Sequence, residues 1–410
     1  MLKKLATVLV SVILTLAAAE AALRLIDYQI TVYPGDPILG TRYAKSATWT
    51  EHLREDNQEF VSHTNNQGFF DDEDVESLKA EGRVRIAMVG DSHTMCVCAN
   101  DDSFPNRLEA LLNEQQPGRY EVMNGGVGGY SPYQYLLKAK LEIVPLDPDH
   151  LIVMYYLGND SLDLVRKDDR PYLTLSESGE IRENSPQFVV YADPEKLDRF
   201  PFTSRVFSLV YWGPTGDLRY QITRGRMLLG NALEAGDDAG ILSVARYMME
   251  IARLSQIGRG LLTQALHEQV FFRHFPRSQS TSDTLDLFVM RSFRDLAASH
   301  GIELTYVLLP AKVQVEPETM GTVDDALAKS DPPISLAGMG AFLDRKAEKM
   351  KSMGREEGVR VVDITSDLKA ITDGRPFYYE FDMHLNLEGN AVVARVLRER
   401  LSDVVVVGDQ

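Results

Sequence analysis

Residues 84–94 read VRIAMVGDSHT, and this stretch decides the fold that the sequence predicts. The run Val84–Val89 is short, apolar and rich in β-branched residues, so it predicts a buried strand that ends at Gly90. A helix is predicted next, because leucines recur at helical spacing between Phe104 and Asn113. A strand, a loop and a helix in succession are the beginning of a βαβ unit.

The same alternation recurs along the rest of the chain. Further strands are predicted at 120–123, 151–156, 303–309 and 359–364, and helices at about 133–141, 285–300, 340–357 and 386–402. Strands that alternate with helices predict a parallel sheet covered on both faces. We therefore expect one α/β domain over residues 81–410. The alternation is lost at about 165–284, where a helical insertion is predicted.

The composition is that of an ordinary globular protein. The chain has 410 residues, of which 44% are apolar and 25% are charged, which allows one large core or one core plus an insertion. Residues 28–80 are polar and contain many turn formers, so they predict an irregular lead-in. The formal charge of −17 repels phosphate backbones, so nucleic acid is not an expected partner.

The first 27 residues carry an export signature. Lys3 and Lys4 precede an apolar run, 5–19, of the length of a signal-peptide core, and small residues follow it. The helical pattern continues to Ile26, so a short membrane anchor flanked by Arg24 is the alternative to a cleaved signal peptide. A buried helix of a cytosolic protein is a third interpretation that fits the lysines less well. We expect an extracytoplasmic protein, periplasmic or secreted.

The chain has two cysteines, Cys96 and Cys98, which are separated by one residue. Given the usual Cα separations, a strain-free disulfide between them is not expected. The pair therefore says little about the redox compartment. A lipoprotein anchor is disfavoured, because neither cysteine lies near the N-terminal segment.

The first of four informative loops follows the predicted strand Val84–Val89. In open α/β sheets, ligands bind beyond the carboxyl ends of the strands, where several loops converge. Gly90 permits a sharp turn there, and the N-terminus of the following helix favours an oxyanion beside Ser92. Ser92 is therefore a candidate nucleophile. Its alternative interpretation is a helix N-cap, which is a common role for serine.

Two further loops offer hydrogen-bond donors. The glycines between Asn124 and Ser131 let backbone N–H groups point together at a substrate, as in an oxyanion hole. Phosphate binding is an alternative, but the spacing matches neither G-x-G-x-x-G nor a P-loop, and a plain tight turn is another. In the loop at 158–160, the side-chain amide of Asn159 is a further donor, although an Asn-Asp pair is also an ordinary helix cap.

The fourth loop holds Asp382 and His384, just before the last predicted helix. A hydroxyl is a poor nucleophile until a base takes its proton, and the base needs a partner that fixes its tautomer. His384 and Asp382 suit these two roles. A surface loop or a metal ligand is the alternative, but the further His or carboxylate ligands of a metal site do not cluster here. No metal and no cofactor are expected, since the dinucleotide patterns are also unmet.

Together the four loops resemble the SGNH (GDSL-like) hydrolase superfamily, whose four blocks carry a Ser, a Gly, an Asn and a His in this order. The resemblance covers about 84–165 and 285–402. It implies a three-layer α/β/α sandwich with a flavodoxin-like parallel sheet. It also implies the site residues: Ser92 as nucleophile, the Ser92 and Gly129 amides and the Asn159 side chain as oxyanion hole, His384 as base and Asp382 as the acid that orients it.

The chain departs from the family at two places. Family members often carry a leucine or phenylalanine after the serine and a glycine-valine pair shortly beyond, whereas His93 and Cys96-Val97-Cys98 stand here. His93 either lines the pocket or is a solvated side chain with no role. The family's acid and base are commonly spaced D-x-x-H, whereas only Met383 separates Asp382 from His384. The serine lies outside a G-x-S-x-G elbow, which argues against the α/β-hydrolase fold.

The resemblance implies chemistry through an acyl-serine, and three functions stay open. One is a serine esterase that cleaves acyl groups, most simply acetyl, from carbohydrate or lipid esters. Another is an O-acetyltransferase that works with partners of polysaccharide assembly, since water and a sugar hydroxyl compete for the same intermediate. The third is a non-catalytic carbohydrate-binding protein. Tyr211, Trp212 and Tyr220 of the insertion are candidates for stacking on sugar rings or for packing in a core.

Overall fold

A computed structural model gives the fold of the chain. It describes residues 2–25, 35–53, 58–114, 116–165, 170–185, 276–320, 335–371, 374–380 and 383–402, together with 328 and 333. Helix α1 is Leu2–Leu25, and several of its apolar side chains, such as Ile13 and Leu14, are exposed. Among the residues that the structure describes, no helix meets the length and apolarity that a membrane span requires.

The lead-in contains regular structure that its composition did not predict. Two short antiparallel pairs lie there: β1 (Gly35–Asp36) with β2 (Gly40–Thr41), and β3 (Thr48–Leu53) with β4 (Gln58–His63). Strands β1 and β2 have two residues each, and β3 and β4 are mostly polar, so composition did not distinguish them from loops. The prediction of an irregular lead-in is therefore wrong in part.

Five parallel strands form the central sheet. The strands that follow in the chain are β5 (Val84–Val89), β6 (Tyr120–Asn124), β7 (His150–Tyr156), β8 (Tyr172–Leu175), β9 (Ile181–Asn184), β10 (Glu303–Leu309) and β11 (Arg360–Asp363). The sheet order is β11-β10-β7-β5-β6, which is 2-1-3-4-5 when the five sheet strands are numbered along the chain. This is the flavodoxin-like order, as predicted. Strands β8 and β9 form a separate antiparallel pair.

Helices cover both faces of the sheet. The helices after α1 are α2 (Ser92–Met95), α3 (Phe104–Asn113), α4 (Pro132–Lys138), α5 (Asp160–Val165), α6 (Pro276–His300), α7 (Lys312–Val315), α8 (Leu336–Glu357), α9 (Thr365–Ile371) and α10 (Leu387–Arg400). Successive strand residues point to opposite faces. Ile86 and Met88 of β5 accordingly join the core under α3 and α10. Ala87 and Val89 join the core under α4 and α6.

The predicted insertion is described only at its two ends. At its start, β8 packs against α5. At its end, α6 begins at Pro276, earlier than expected, and buries Leu285 and Phe293 against the sheet. Residues 186–275, including the three aromatic candidates of the insertion, lie outside the described residues. The division of the chain into domains stays a prediction.

Cys96 and Cys98 form a disulfide, whereas the sequence analysis expected no strain-free disulfide between them. Their Cα atoms are 5.4 Å apart, within the range of about 4.4–6.8 Å that disulfides occupy. The reason is the backbone of Cys96, which adopts φ 95° at the end of α2. Such a positive φ is strained for a residue with a side chain. The resulting turn brings the two residues together across the single one between them.

Candidate active site

Ser92 lies where strand β5 turns into helix α2. Asp91 is the N-cap of this helix, and Ser92 is its first residue. The turn depends on Gly90, because a Cβ there would clash with Thr94 and lie 3.2 Å from the Cβ of Met154. Ser92 is partly exposed, while Asp91 and Thr94 are buried. The fold therefore presents the hydroxyl of Ser92 at the carboxyl end of the sheet.

His384 meets Ser92 across 292 residues of chain. Its Nε2 lies 2.7 Å from Ser92 Oγ, which is the distance of a nucleophile–base hydrogen bond. With Nε2 unprotonated, the imidazole accepts the Ser92 hydroxyl proton. The structure thus brings together the two residues that were predicted as nucleophile and base.

His384 lies in two paired segments, 374–380 and 383–386, which we call the hairpin. The Tyr379 N–H donates to the carbonyl of His384 at 2.9 Å, and Tyr378 pairs with Leu385 in an antiparallel bridge. Met383, directly before the histidine, adopts φ 65°, which is uncommon for a residue with a side chain. Asp382 lies outside the described residues, so its role as the orienting acid stays a prediction.

Glu316 holds the hairpin through two hydrogen bonds from the hairpin's backbone. Its Oε1 accepts the N–H groups of Phe377 at 2.6 Å and Tyr378 at 3.1 Å. Burial raises the pKa of the Glu316 carboxyl, while these two backbone hydrogen bonds oppose the rise. The sequence did not point to Glu316, because nothing around a glutamate between a strand and a helix indicates which distant segment its carboxylate will bind.

The glycine-rich loop lies against helix α2. The Val127 N–H donates to the carbonyl of Gly90 at 3.0 Å. A Cβ on Gly126 would clash with the backbone nitrogen of Met95 and lie 2.7 Å from the carbonyl carbon of Thr94. Gly129 adopts φ 74°, a conformation that favours glycine. The Gly129 amide as an oxyanion donor stays a prediction.

Asp91 connects the third predicted loop to the first. Its Oδ1 accepts the His93 N–H at 2.9 Å, and its Oδ2 accepts from Asn159 Nδ2 at 3.3 Å. Both side chains are buried. Burial raises the pKa of Asp91 to about 6, against the lowering effects of these bonds and of nearby His384. The position of Asp91 directly before the serine is the one sequence signal for this role.

His93 is buried and belongs to the site. Its ring stacks on that of Tyr156, with centroids 3.7 Å apart, and lies 4.6 Å from the ring of His384. Of the two interpretations left open by the sequence, the solvated side chain is wrong. His93 packs behind the candidate base.

The chemistry that this arrangement supports is acyl transfer through serine. A hydroxyl is paired with an imidazole at the N-terminus of a helix, and a buried side-chain amide is tied to the residue next to it. In the part of the chain that the structure describes, no group of three or more His, Cys, Asp or Glu side chains is placed to hold a metal ion.

Comparison with known families supports the predicted class. Residues 271–409 match the family described as "SGNH hydrolase-like domain, acetyltransferase AlgX". This segment contains β10, β11 and the hairpin of His384, and it does not reach Ser92. The resemblance to SGNH enzymes predicted from the four loops is confirmed, and with it the enzyme class, an SGNH-type esterase or acyltransferase. No curated protein matches the chain.

Several solved structures are similar to the chain at low identity. LAE5, an α/β hydrolase enzyme from the metagenome of Lake Arreo, Spain, is 11% identical with a TM-score of 0.39, over 78% of this chain and 95% of that one. A catalytic mutant of Axe2, an acetylxylan esterase from Geobacillus stearothermophilus, is 12% identical with a TM-score of 0.38, over 78% and 95%. The acetyl xylan esterase AlAXEase is 10% identical with a TM-score of 0.36, over 78% and 100%. Likeness at these scores carries no argument about substrate.

Proposed function

We propose that this protein is an extracytoplasmic serine esterase that removes acyl groups, most simply acetyl groups, from carbohydrate esters. The observation that carries the proposal is the contact of 2.7 Å between His384 Nε2 and Ser92 Oγ. It forms at the carboxyl end of β5, beside β7, where the strand order of the sheet reverses. Ligands of open α/β sheets bind at such a switch point.

The proposed reaction has two symmetrical halves. Ser92 Oγ attacks the ester carbonyl carbon while His384 Nε2 takes its proton, and the carbonyl oxygen becomes an oxyanion. The backbone N–H of Ser92, the amide of Gly129 and the Nδ2 of Asn159 are the proposed donors to that oxyanion. His384 then gives the proton to the leaving alcohol, and an acyl-serine remains. Water repeats the sequence and releases the acid.

An O-acetyltransferase is the second candidate, and the matched family favours it because its description names an acetyltransferase. The acyl-serine is common to both reactions. In the transferase, a sugar hydroxyl takes the place of water. Asp382 is proposed in both cases as the group that orients His384.

The disulfide supports an extracytoplasmic location. Cys96 and Cys98 are paired and buried directly after the helix of Ser92. Disulfides persist in oxidising compartments and are rare in the cytosol of most organisms. The lysines and apolar run of the first residues favour the same location.

The first test is covalent labelling of the full chain with a fluorophosphonate, read by intact mass. Wild type is expected to gain one adduct, Ser92→Ala none, and His384→Ala at a rate at least ~100-fold lower, because general-base catalysis contributes that much or more. Ser299→Ala, on the exposed face of α6, is the matched serine control and should label like wild type. An adduct that survives in Ser92→Ala, or a folded wild type that does not react, contradicts the proposal.

A second measurement separates the candidate functions. Acetate release from an acetylated oligosaccharide is followed in water alone and with a free sugar acceptor. An esterase releases acetate without the acceptor. A transferase forms an acetylated acceptor and is slow without it.

A further inference from the structure

Three aromatic rings from three separate elements lie in a row at the site. Tyr156 is the last residue of β7, His93 is the second residue of α2, and His384 lies in the hairpin before α10. The first two rings stack with centroids 3.7 Å apart and planes at 27°. The second and third rings are 4.6 Å apart with planes at 33°. We call Tyr156, His93 and His384 the ring column.

The back of the ring column is fixed. Tyr156 and His93 are only 3% and 2% exposed, whereas His384 is partly exposed. The chain after Tyr156 lies over its ring, since a Cβ on Gly158 would lie 2.5 Å from that ring. The backbone of His93 is held by its hydrogen bond to Asp91. Of the three rings, only His384 borders solvent.

The hairpin fixes the backbone of His384 through Tyr379, and the ring of His93 adds a contact to the imidazole itself. A base must stay within hydrogen-bond reach of the proton it removes. A ring that turns away from Ser92 loses the contact of 2.7 Å. A rigid flat surface against one face of the imidazole limits that motion.

We propose that His93 is a positioning residue that holds the His384 ring against Ser92. This rests on the proposed function, in which His384 is the base. Through the stack on Tyr156, His93 connects the ring of His384 to the end of strand β7, in addition to the orienting role proposed for Asp382. When His384 takes the proton of Ser92, the resulting imidazolium still lies against the ring of His93, so the contact acts on both forms of the base.

His93, the residue after the proposed nucleophile, therefore has a role that an aliphatic side chain at the same position would not have. A leucine fills space without offering a flat face. A phenylalanine offers the face without a titrating group. Replacing His93 by leucine or by phenylalanine therefore separates the effect of packing volume from the effect of ring contact.

The test compares His93→Leu with His93→Phe by fluorophosphonate labelling at saturating and subsaturating reagent. His93→Leu is expected to lower the maximal labelling rate about 10-fold or more, since a small misplacement of a catalytic group is costly, with reagent affinity unchanged. His93→Phe should restore the rate to within about 3-fold of wild type. Equal rates for wild type and His93→Leu, or equal losses in both variants, overturn the proposal.

A matched control accounts for loss of core packing. Phe293 is fully buried on α6 and packs edge-on against Tyr306, 5.9 Å away. Phe293→Leu should lower stability without lowering the maximal labelling rate. If it lowers that rate as much as His93→Leu does, the effect of His93 is general destabilisation and the proposal fails.

A ring-proton NMR spectrum tests the contact between His384 and His93 without relying on labelling. The His384 resonances are assigned by their loss in His384→Ala. Stacking on His93 should shift them upfield in wild type and His93→Phe, and His93→Leu should move them toward the position of an unstacked histidine. Upfield shifts that persist in His93→Leu overturn the proposal. A stacked His384 in a protein that fluorophosphonate does not label supports the positioning and rejects the esterase.

Discussion

Ser92 and His384 are each held by a segment that a buried carboxyl group ties down, but the two segments are built differently. On the serine side, Asp91 is the neighbour of Ser92, the proposed nucleophile, and it joins α2 to Asn159. On the histidine side, Glu316 lies 61 residues before the Phe377 N–H that it accepts. The serine side is a strand-to-helix turn within the sheet. The histidine side is a hairpin outside it.

The difference shows where the precision of the site comes from. The serine side relies on close backbone approach, because the glycine loop leaves no room for a side chain against α2. The histidine side relies on hydrogen bonds and on ring contact. Burial raises the pKa of both Asp91 and Glu316. On each side, a buried acid whose charged form lowers the stability of the fold also fixes the position of a site residue.

The strongest test of the serine side is Gly126→Ala. The new Cβ would collide with backbone atoms of Met95 and Thr94, which cannot move without shifting helix α2. We expect a loss of at least ~4 kcal/mol in the free energy of unfolding, measured in urea, and no labelling of Ser92. The control is Gly340→Ala in helix α8, whose nearest neighbour would be the Val313 carbonyl at 3.8 Å. It should stabilise by about 1 kcal/mol and label normally. A Gly126→Ala protein that folds and labels like wild type would show that close approach is not needed.

Asp91 gives the next largest effect, and it depends on pH. Its pKa rises from 3.8 to about 6 on burial, so between these values the folded state binds more protons than the unfolded state. Stability therefore falls as pH rises through this window, by up to about 3 kcal/mol. Asp91→Asn removes that slope. Unfolding in urea at pH 4 and pH 7 measures the difference between wild type and variant.

The same variant should react more slowly. An amide at residue 91 still caps α2 through its oxygen, but its NH2 group then faces the Nδ2 of Asn159 instead of accepting from it. We expect labelling to slow about 10-fold, less than the ~100-fold or more that loss of an oxyanion donor costs, because the amide of Asn159 is displaced and not removed. Any pH-independent loss of stability caused by the amide at residue 91 cancels when the free energies of unfolding at pH 4 and pH 7 are compared. An unchanged pH slope would show that Asp91 titrates near its ordinary pKa.

The sequence predicted the parts of the fold and site that local patterns encode. Strands β5 and β10 match their predicted bounds, because a short apolar run leaves few alternatives, and the sheet order was predicted from the resemblance to the SGNH superfamily. Ser92 and His384, which the structure brings together, were candidates because they lie in loops at strand and helix ends. Glu316, the Cys96–Cys98 disulfide and the stacking of His93 were not, because each depends on how distant segments pack or on one residue's backbone angle.

Glu316 is expected to give the smallest effect, and it tests whether the hairpin needs a charge or only an acceptor. In Glu316→Gln the amide oxygen still accepts the N–H groups of Phe377 and Tyr378. The pKa of Glu316 is raised by burial, so its charged form destabilises the fold increasingly as pH rises above about 4.5. Glu316→Gln should therefore gain stability relative to wild type as pH rises, measured by unfolding in urea at pH 4 and pH 8.

The rate of fluorophosphonate labelling shows whether the hairpin needs the negative charge of Glu316 or only its acceptor oxygen. If the acceptor is sufficient, Glu316→Gln labels within about 3-fold of wild type, because the hairpin keeps both hydrogen bonds. Glu388→Gln is the matched control, since Glu388 is the second residue of α10 and pairs only with the exposed Arg375 and Arg395 among the ion pairs of the described residues. It should change stability by less than ~0.5 kcal/mol. A loss of labelling of about 10-fold in Glu316→Gln alone would mean that the negative charge itself fixes the position of His384, and the histidine side would then depend on a buried charge as the serine side does.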